Sequence, residues 1–465
     1  MTMLVKKALM QRGNSLYGLW TLLVLTGVLV FSVSCQSVNE NYQEDAADAT
    51  FFHQSMKQLT DVIVHDIFSP PVASRIYAYP SIAAYEVMQQ AYPEYKSLSG
   101  QLNEFGGVPQ AEANQEYCYP LAAVKAFLTV GRALIFSEPK MLEFEEKLMA
   151  EYEAVNMPRD VYRRSIAYGE EVAAAILEYA DGDMYKETRT YPKFSIVEDD
   201  PSRWQPTPPD YMDGIEPHWR EIRPFVLEGP DQFTPPPPTP FDMTEGSPFY
   251  EELMEVYHAL DAEDKDERIA IAEFWDCNPY VSHHIGHVMY ATKKITPGGH
   301  WINIIQIACQ KDDADFMKSV EAYTLTSIAL ADAFISCWDE KYRSNLIRPE
   351  TVINEYIDEN WMPALQTPPF PEYTSGHSVI SRAAAVALTS IFGDDFAFVD
   401  TSEEEYGLPA RSFDSFLHAS SEAAVSRLYG GIHYRPAIDE GVKQGEQVGE
   451  YVVEQVQLRS QLTEK

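Results

Sequence analysis

The sequence predicts an all-α protein, on three observations. Apolar residues recur at helical spacing through most of its 465 positions, Val/Ile/Thr alternation is scarce, and no hairpin signal stands out. Hydrophobic residues make up 45% and charged residues 23%, the values of a folded chain, which excludes a disordered or fibrous one. No repeat of 20–50 residues recurs. The expected architecture is a large helical protein of two bundles, with the chemistry-bearing segments in the C-terminal one.

Taken in order, residues 1–34 read as a secretory signal. Lys6, Lys7 and Arg12 precede a mostly apolar run from Leu16 to Val33, which ends in Ser32-Val33-Ser34-Cys35. A small residue before a cysteine resembles a bacterial lipoprotein cleavage box, so Cys35 is the expected lipid carrier; an ordinary cleaved signal and an uncleaved anchor are the alternatives. The expected location is therefore outside the cytoplasm, as an outer-membrane or periplasmic lipoprotein or as a periplasmic or secreted protein. Residues 35–50 are polar and acidic and read as a tether. Residues 51–190 form an N-terminal helical bundle, with helical periodicity over Thr60–Ile67, Ser81–Ala91, Leu121–Ile135, Met141–Tyr152 and Arg163–Tyr179. The proline-rich stretch 191–245, with Pro235 to Pro238 in a row, is neither helix nor central strand. Its Trp204, Tyr211, Trp219 and Phe225 suggest an ordered loop laid over the body, the alternative being a flexible linker. Residues 246–465 form the C-terminal bundle: Pro248–Leu260, Glu267–Phe274, Ile302–Cys309, Ala314–Trp338, Ser375–Ile391, Phe413–Tyr429 and Pro436–Val456. Beyond the N-terminal run, no apolar stretch is read as a span of the ~20 residues a bilayer needs.

Acids outnumber bases 71 to 35, giving a formal charge of −36. Without residues 1–34, which carry three bases and no acid, the charge is −39. Such a surface repels phosphate backbones and anionic lipid, so nucleic acid is excluded as a partner and a lipid anchor is the expected contact with a membrane. An anionic ligand then needs a local basic pocket. Cys118, Cys277, Cys309 and Cys337 match no zinc spacing; in an oxidising compartment they could pair in any of three connectivities, and structural or free thiols are the expected reading.

Three segments can build that pocket. In Lys341-Tyr-Arg-Ser-Asn-Leu-Ile-Arg348-Pro349, the lysine and arginine are seven apart and share nearly one helix face, with Trp338 on that face and a helix end before Pro349. In Thr374-Ser375-Gly376-His377, Ser375 stands at the N-cap of a helix whose free amides and positive end suit an oxyanion, and Gly376 admits close approach. In Ser426-Arg427-Leu-Tyr-Gly430-Gly431-Ile-His433, the two glycines allow the helix to stop and His433 to turn back towards Arg427. One lysine, two arginines, a capped helix start and two histidines make a tetrahedral-oxyanion pocket with a nucleophile or ligand and a proton donor.

The order Lys-x6-Arg-Pro, Ser-Gly-His, Ser-Arg-x5-His resembles the signature of the type 2 phosphatidic acid phosphatase superfamily, shared with the vanadium-dependent haloperoxidases. Trp338, the segment Phe274-Trp275-Asp276 and the segment Thr296-Pro297-Gly298-Gly299-His300-Trp301 resemble the haloperoxidase branch. The resemblance implies a vanadate cofactor bound by Lys341, Arg348, Ser375, Gly376, Arg427 and His433, with His433 bonded to the vanadium. It implies His377 and His433 as the catalytic pair, His377 taking a proton from hydrogen peroxide. It implies a halide:hydrogen peroxide oxidoreductase that forms hypohalous acid through a peroxovanadate; because iodide gives up electrons most readily, iodide is the expected best substrate, with bromide weak or absent and chloride unreacted. The alternative on the same scaffold is a soluble exported acid phosphatase with a phosphohistidine intermediate. Trp338 and Tyr280 are candidates to line the pocket. Thr374 replaces the usual proline before Ser375, and Ala437 stands where an aspartate often follows the last histidine, which leaves Asp276 as the candidate to orient His433.

Other features are set aside. His283 and His287 would face one way on a helix and could clip a metal, but no glutamate pattern accompanies them. His300 reads as structural, and Glu403-Glu404-Glu405 as a solvated face.

Overall fold

The computed structural model describes residues 38–460. The signal segment 1–34 and Cys35 lie outside the described residues. Helices α1 (Tyr42–Ala46), α2 (Thr50–Asp66), α3 (Pro70–Met88), α4 (Tyr119–Ala133), α5 (Glu138–Ala154), α6 (Arg159–Asp181) and α7 (Tyr185–Thr188) make the first half. The second half runs α8 (Pro248–Tyr257), α9 (Lys265–Phe274), hairpin β1–β2 (Val281–Ile285, Val288–Thr292), α10 (Pro297–Lys311), α11 (Phe316–Ser344), α12 (Pro349–Tyr356) and α13 (Gly376–Phe392). A small hairpin β3–β4 (Phe398–Asp400, Arg411–Phe413) precedes α14 (Phe416–Tyr429) and α15 (Arg435–Gln455). Helix starts follow capping chemistry: Ser247, Thr296, Asp315, Ser375 and Ser415 each accept a backbone N–H three residues on.

In the first half α4 packs between α3 and α6; in the second α13 packs on α11, α14 and α15. The bundles share one continuous apolar core, because α11 also lies against α3. By length and composition α11 could cross a membrane, contrary to the expectation that no second such run exists, but its apolar window is entirely buried in protein. The acids Glu321, Asp332 and Asp339 break up that run in the sequence. Close approach of α15 to α13 rests on Gly441, Gly445 and Gly449, one helical turn apart. A Cβ at Gly445 would stand 2.2 Å from the Val379 carbonyl oxygen, inside the helix that carries Ser375, Gly376 and His377.

Three expectations need correction. The tether predicted for 35–50 is packed on the body from Asn39, whose amide donates to the Asn156 carbonyl, because Tyr42 provides a buried anchor in the polar stretch. The expected absence of hairpins fails at 281–292, where Gly286 (φ +61°) makes the turn. His283 therefore stacks on Tyr290 and bonds Thr292 while His287 is exposed in the turn, so the two never share a helix face. Glu403 is buried at 1% exposure, unlike its exposed neighbours Glu404 and Glu405.

The 191–245 segment is laid over α11. Trp204, Trp219 and Phe225 are buried, whereas Tyr211 is exposed. The fully buried Asp332 accepts the amides of Phe225 (2.7 Å), Val226 (2.8 Å) and Leu227 (3.0 Å). The carbonyl of Ile215 accepts from the Trp338 indole (3.1 Å) and the Tyr342 hydroxyl (2.6 Å). These bonds bring the loop to the rim of the candidate site. Cys118, Cys277, Cys309 and Cys337 are buried free thiols.

Candidate active site

A cavity of about 160 Å³ opens where α11, the loop before α13, and the end of α14 meet. Its wall includes Trp338, Tyr280, Gly376, His377, Arg427 and His433, with apolar surface from Met212, Ile215, Phe334 and Phe370.

Arg348 caps the start of α12 and is completely buried. Its Nε donates to Phe370 O (2.9 Å), and its Nη1 to Ile432 O (2.8 Å) and to His433 Nε2 (3.1 Å). Its Nη2 has no protein partner. Burial lowers the guanidinium pKa to about 10, so it stays charged. Arg427 donates through Nε to Ser426 Oγ (2.9 Å) and through Nη2 to Trp275 O (2.7 Å). Lys341, also fully buried, donates to the carbonyls of Pro371 (3.0 Å), Glu372 (3.0 Å) and Thr374 (2.6 Å). Burial pulls its pKa down to about 7, against which the three carbonyls favour the ammonium. Lys341 thus braces the loop that carries Ser375, and its three protons are all engaged.

Ser375 caps α13 and is buried. At Gly376 an added Cβ would meet Trp338 at 3.8 Å and Lys341 at 3.9 Å, ordinary contacts, so packing within the protein does not demand glycine there. The space it leaves faces the cavity.

Gly431 (φ +76°) ends α14 and returns the chain, as the Gly-Gly pair suggested. His433 lands against Arg348, with Nδ1 bonded to Glu372 Oε1 (2.8 Å). The same oxygen accepts the Tyr434 amide (2.9 Å). Asp276, the sequence candidate for orienting His433, pairs instead with Lys294 (2.8 Å). Glu372 was missed because it precedes the Ser-Gly-His motif by three residues rather than following the histidine; its one signal is a lone acid between Pro371 and the motif. Burial raises Glu372 to about 7, while Arg348 and Lys341 pull it back. Burial, then the charges of Arg348, Lys341 and Arg427, hold His433 well below an ordinary histidine. His377 is likewise pushed down by burial, then by Arg427. It is hydrogen-bonded to the Trp275 backbone and its Nε2 has no partner. Both rings are neutral near pH 7.

Arg427, the unpartnered Nε2 of His377 and the carboxylate-fixed imidazole of His433 thus share one cavity wall with Gly376 at a helix start, and Arg348, buried against His433, keeps its Nη2 unpartnered. Such a set of groups suits a tetrahedral oxyanion, and it is carried on a double helical bundle. A family model described as "VCPO second helical-bundle domain" matches residues 321–461. The structure superposes with a TM-score of 0.85 on a bacterial vanadium-dependent iodoperoxidase, at 52% identity over 90% of this chain and 99% of that one. Two structures of bacterial vanadium-dependent chloroperoxidase share the fold at 18% identity. The holo form has a TM-score of 0.63 over 84% of this chain and 93% of that one, and the apo form 0.64 over 83% and 94%. No curated protein matches. The chain belongs to the vanadium-dependent haloperoxidase family.

Proposed function

We propose that this protein oxidises iodide with hydrogen peroxide, using vanadate held by Arg348, Arg427, Lys341, the Ser375 hydroxyl, the Gly376 amide and His433 Nε2. The observation that carries this reading is His433 held neutral, its Nδ1–H committed to Glu372 and its Nε2 turned to Arg348. A metal ligand requires a neutral imidazole with a lone pair to give, and His433 has it on Nε2, where the metal would take the place of the Arg348 hydrogen bond. Bound vanadate supplies a Lewis-acid centre that makes peroxide oxygen electrophilic without changing oxidation state. Arg348 and Arg427 add positive charge where negative charge must be held. His377, neutral and with Nε2 free, can take the proton that peroxide loses. To serve as a contact, Lys341 must exchange one carbonyl for the oxyanion; otherwise it acts by charge and by bracing the 371–374 loop.

The halide preference follows from desolvation. The wall of Phe334, Trp338, Phe370, Met212 and Ile215 repays little of an ion's lost hydration, which costs least for the largest halide. Iodide also gives up electrons most readily. At equal halide concentration and saturating peroxide, the vanadate-loaded protein is expected to oxidise iodide fastest, bromide weakly and chloride not at all. Robust chlorination would overturn the ordering, and phosphate-ester cleavage with no peroxide-dependent oxidation would overturn the function.

Glu372→Gln tests the orienting carboxylate. The amide oxygen can still accept the His433 and Tyr434 N–H groups, so little stability is lost, but the charge that makes Nε2 a better donor disappears. Vanadate affinity, measured by equilibrium dialysis, is expected to fall about 10–100-fold, as for other partners of metal-bound histidines. Unchanged affinity would show that the charge is unused.

We further propose export with a lipid on Cys35, supported by the basic start, the apolar run and the Ser34-Cys35 step. In the Cys35→Ser variant the protein is expected to leave the membrane fraction for the soluble one. Retention in the membrane would leave the uncleaved-anchor reading in its place.

A further inference from the structure

Where Cys277 lines the cavity lies a second cluster that the proposed reaction does not use. Cys277, His300 and Glu403 come from three distant segments: the turn after α9, the start of α10, and the loop after β3. All three are buried, and their ligating atoms lie within 4.8 Å of one another. His300 Nδ1 is 3.4 Å from Cys277 Sγ and 3.3 Å from Glu403 Oε1. A tetrahedral zinc, with Zn–S about 2.3 Å and Zn–N or Zn–O about 2.0–2.1 Å, sets its donors about 3.3–3.6 Å apart. Both His300 distances match that geometry, and Cys277 and Glu403 offer donor atoms within 4.8 Å of each other.

The surroundings point the same way. His300 Nε2 bonds Asp400 Oδ2 (2.7 Å), which leaves Nδ1 as the ligating nitrogen, the carboxylate–histidine arrangement found behind many metals. The ring is fixed by stacking on Trp275, with centroids 4.5 Å apart. Neither oxygen of Glu403 has a hydrogen-bond partner, an expensive state for a carboxylate at 1% exposure. Cys277 also lines the cavity, which gives an ion a way in.

We propose that Cys277, His300 and Glu403 form a second metal site, for a zinc-like divalent cation, with both Glu403 oxygens available as donors. The ion would staple the turn after α9 to the β3 loop. That turn holds the oxyanion pocket in shape, since the Trp275 carbonyl accepts from Arg427. Without an ion, a proton on His300 would have to balance Asp400 and Glu403.

The test uses full-length protein, free of vanadate, loaded with zinc or cobalt and then freed of excess. One metal per chain is expected, with a thiolate-to-cobalt charge-transfer band in the near ultraviolet and one sulfur neighbour per zinc by X-ray absorption. Cys277→Ser and Glu403→Gln should each weaken retention at least ~10-fold, whereas His287→Ala, on the exposed hairpin, should leave it unchanged. No retained metal, or metal without a sulfur neighbour, overturns the site in the wild-type protein alone, even if a variant fails to fold. Retention undiminished in both variants overturns it as well. Neither result bears on iodide oxidation, which is read separately.

Discussion

In the His433→Ala variant, vanadate retention and iodide oxidation are expected to vanish together. Nδ1–H of His433 is committed to Glu372 (2.8 Å), so the lone pair sits on Nε2, 3.1 Å from Arg348 Nη1. No other neutral nitrogen of the cluster is oriented by a carboxylate, and the arginines and Lys341 have no lone pair to give while protonated. The fold should survive. Glu372 keeps the Tyr434 amide, and Arg348 keeps the carbonyls of Phe370 and Ile432. The cost is the partial loss of partners around two buried groups, about 1–3 kcal/mol for each one left short. Equilibrium dialysis with vanadium quantified by elemental analysis, beside circular dichroism, reads both halves. Vanadium retained at wild-type stoichiometry would remove His433 from the ligand set.

What the sequence exposed and what it hid divide along a physical line. The long helices were legible because each buries a stripe at period 3.6, and Ser375 marked a start by its capping chemistry, whereas the helix expected from Ile302 begins at Pro297 after the Thr296 cap. The oxyanion residues were legible because a basic cluster in so acidic a chain is conspicuous, and because Gly430-Gly431 marks where a helix must stop. The hidden parts are relations between segments distant in sequence. Glu372 reaches His433 across 61 positions, and nothing local in the sequence reports that pairing. The 281–292 hairpin stayed hidden because the four-residue spacing of His283 and His287 would also suit a helix, while its Gly286 turn signal was a single residue. Glu403 was grouped with Glu404 and Glu405 as a charged face, although a turn carries it alone into the core. The sequence tether failed at one aromatic residue, Tyr42, because a single buried ring suffices to dock a short polar helix.

His377→Ala should separate binding from turnover, the opposite outcome to that at His433. His377 begins α13 beside Gly376, is hydrogen-bonded to the Trp275 backbone, and presents Nε2 without a partner. Burial and the charge of Arg427 hold it neutral, which makes it a proton acceptor rather than an anchor for an anion. The groups that would hold vanadate, Arg348, Arg427, Ser375 and His433, keep every protein hydrogen bond they have when this ring is removed, so retention should be close to wild type. Turnover with iodide should fall ~10²-fold or more, the usual cost of losing a positioned acid–base group. The fall should be largest at low pH, where peroxide loses a proton to solvent least readily, and should narrow as pH rises. Vanadium content and initial rates measured on the same samples across pH decide between the roles. If vanadium and activity fall together, as at His433, the ring is a ligand; if activity is unchanged, the proton leaves by another route.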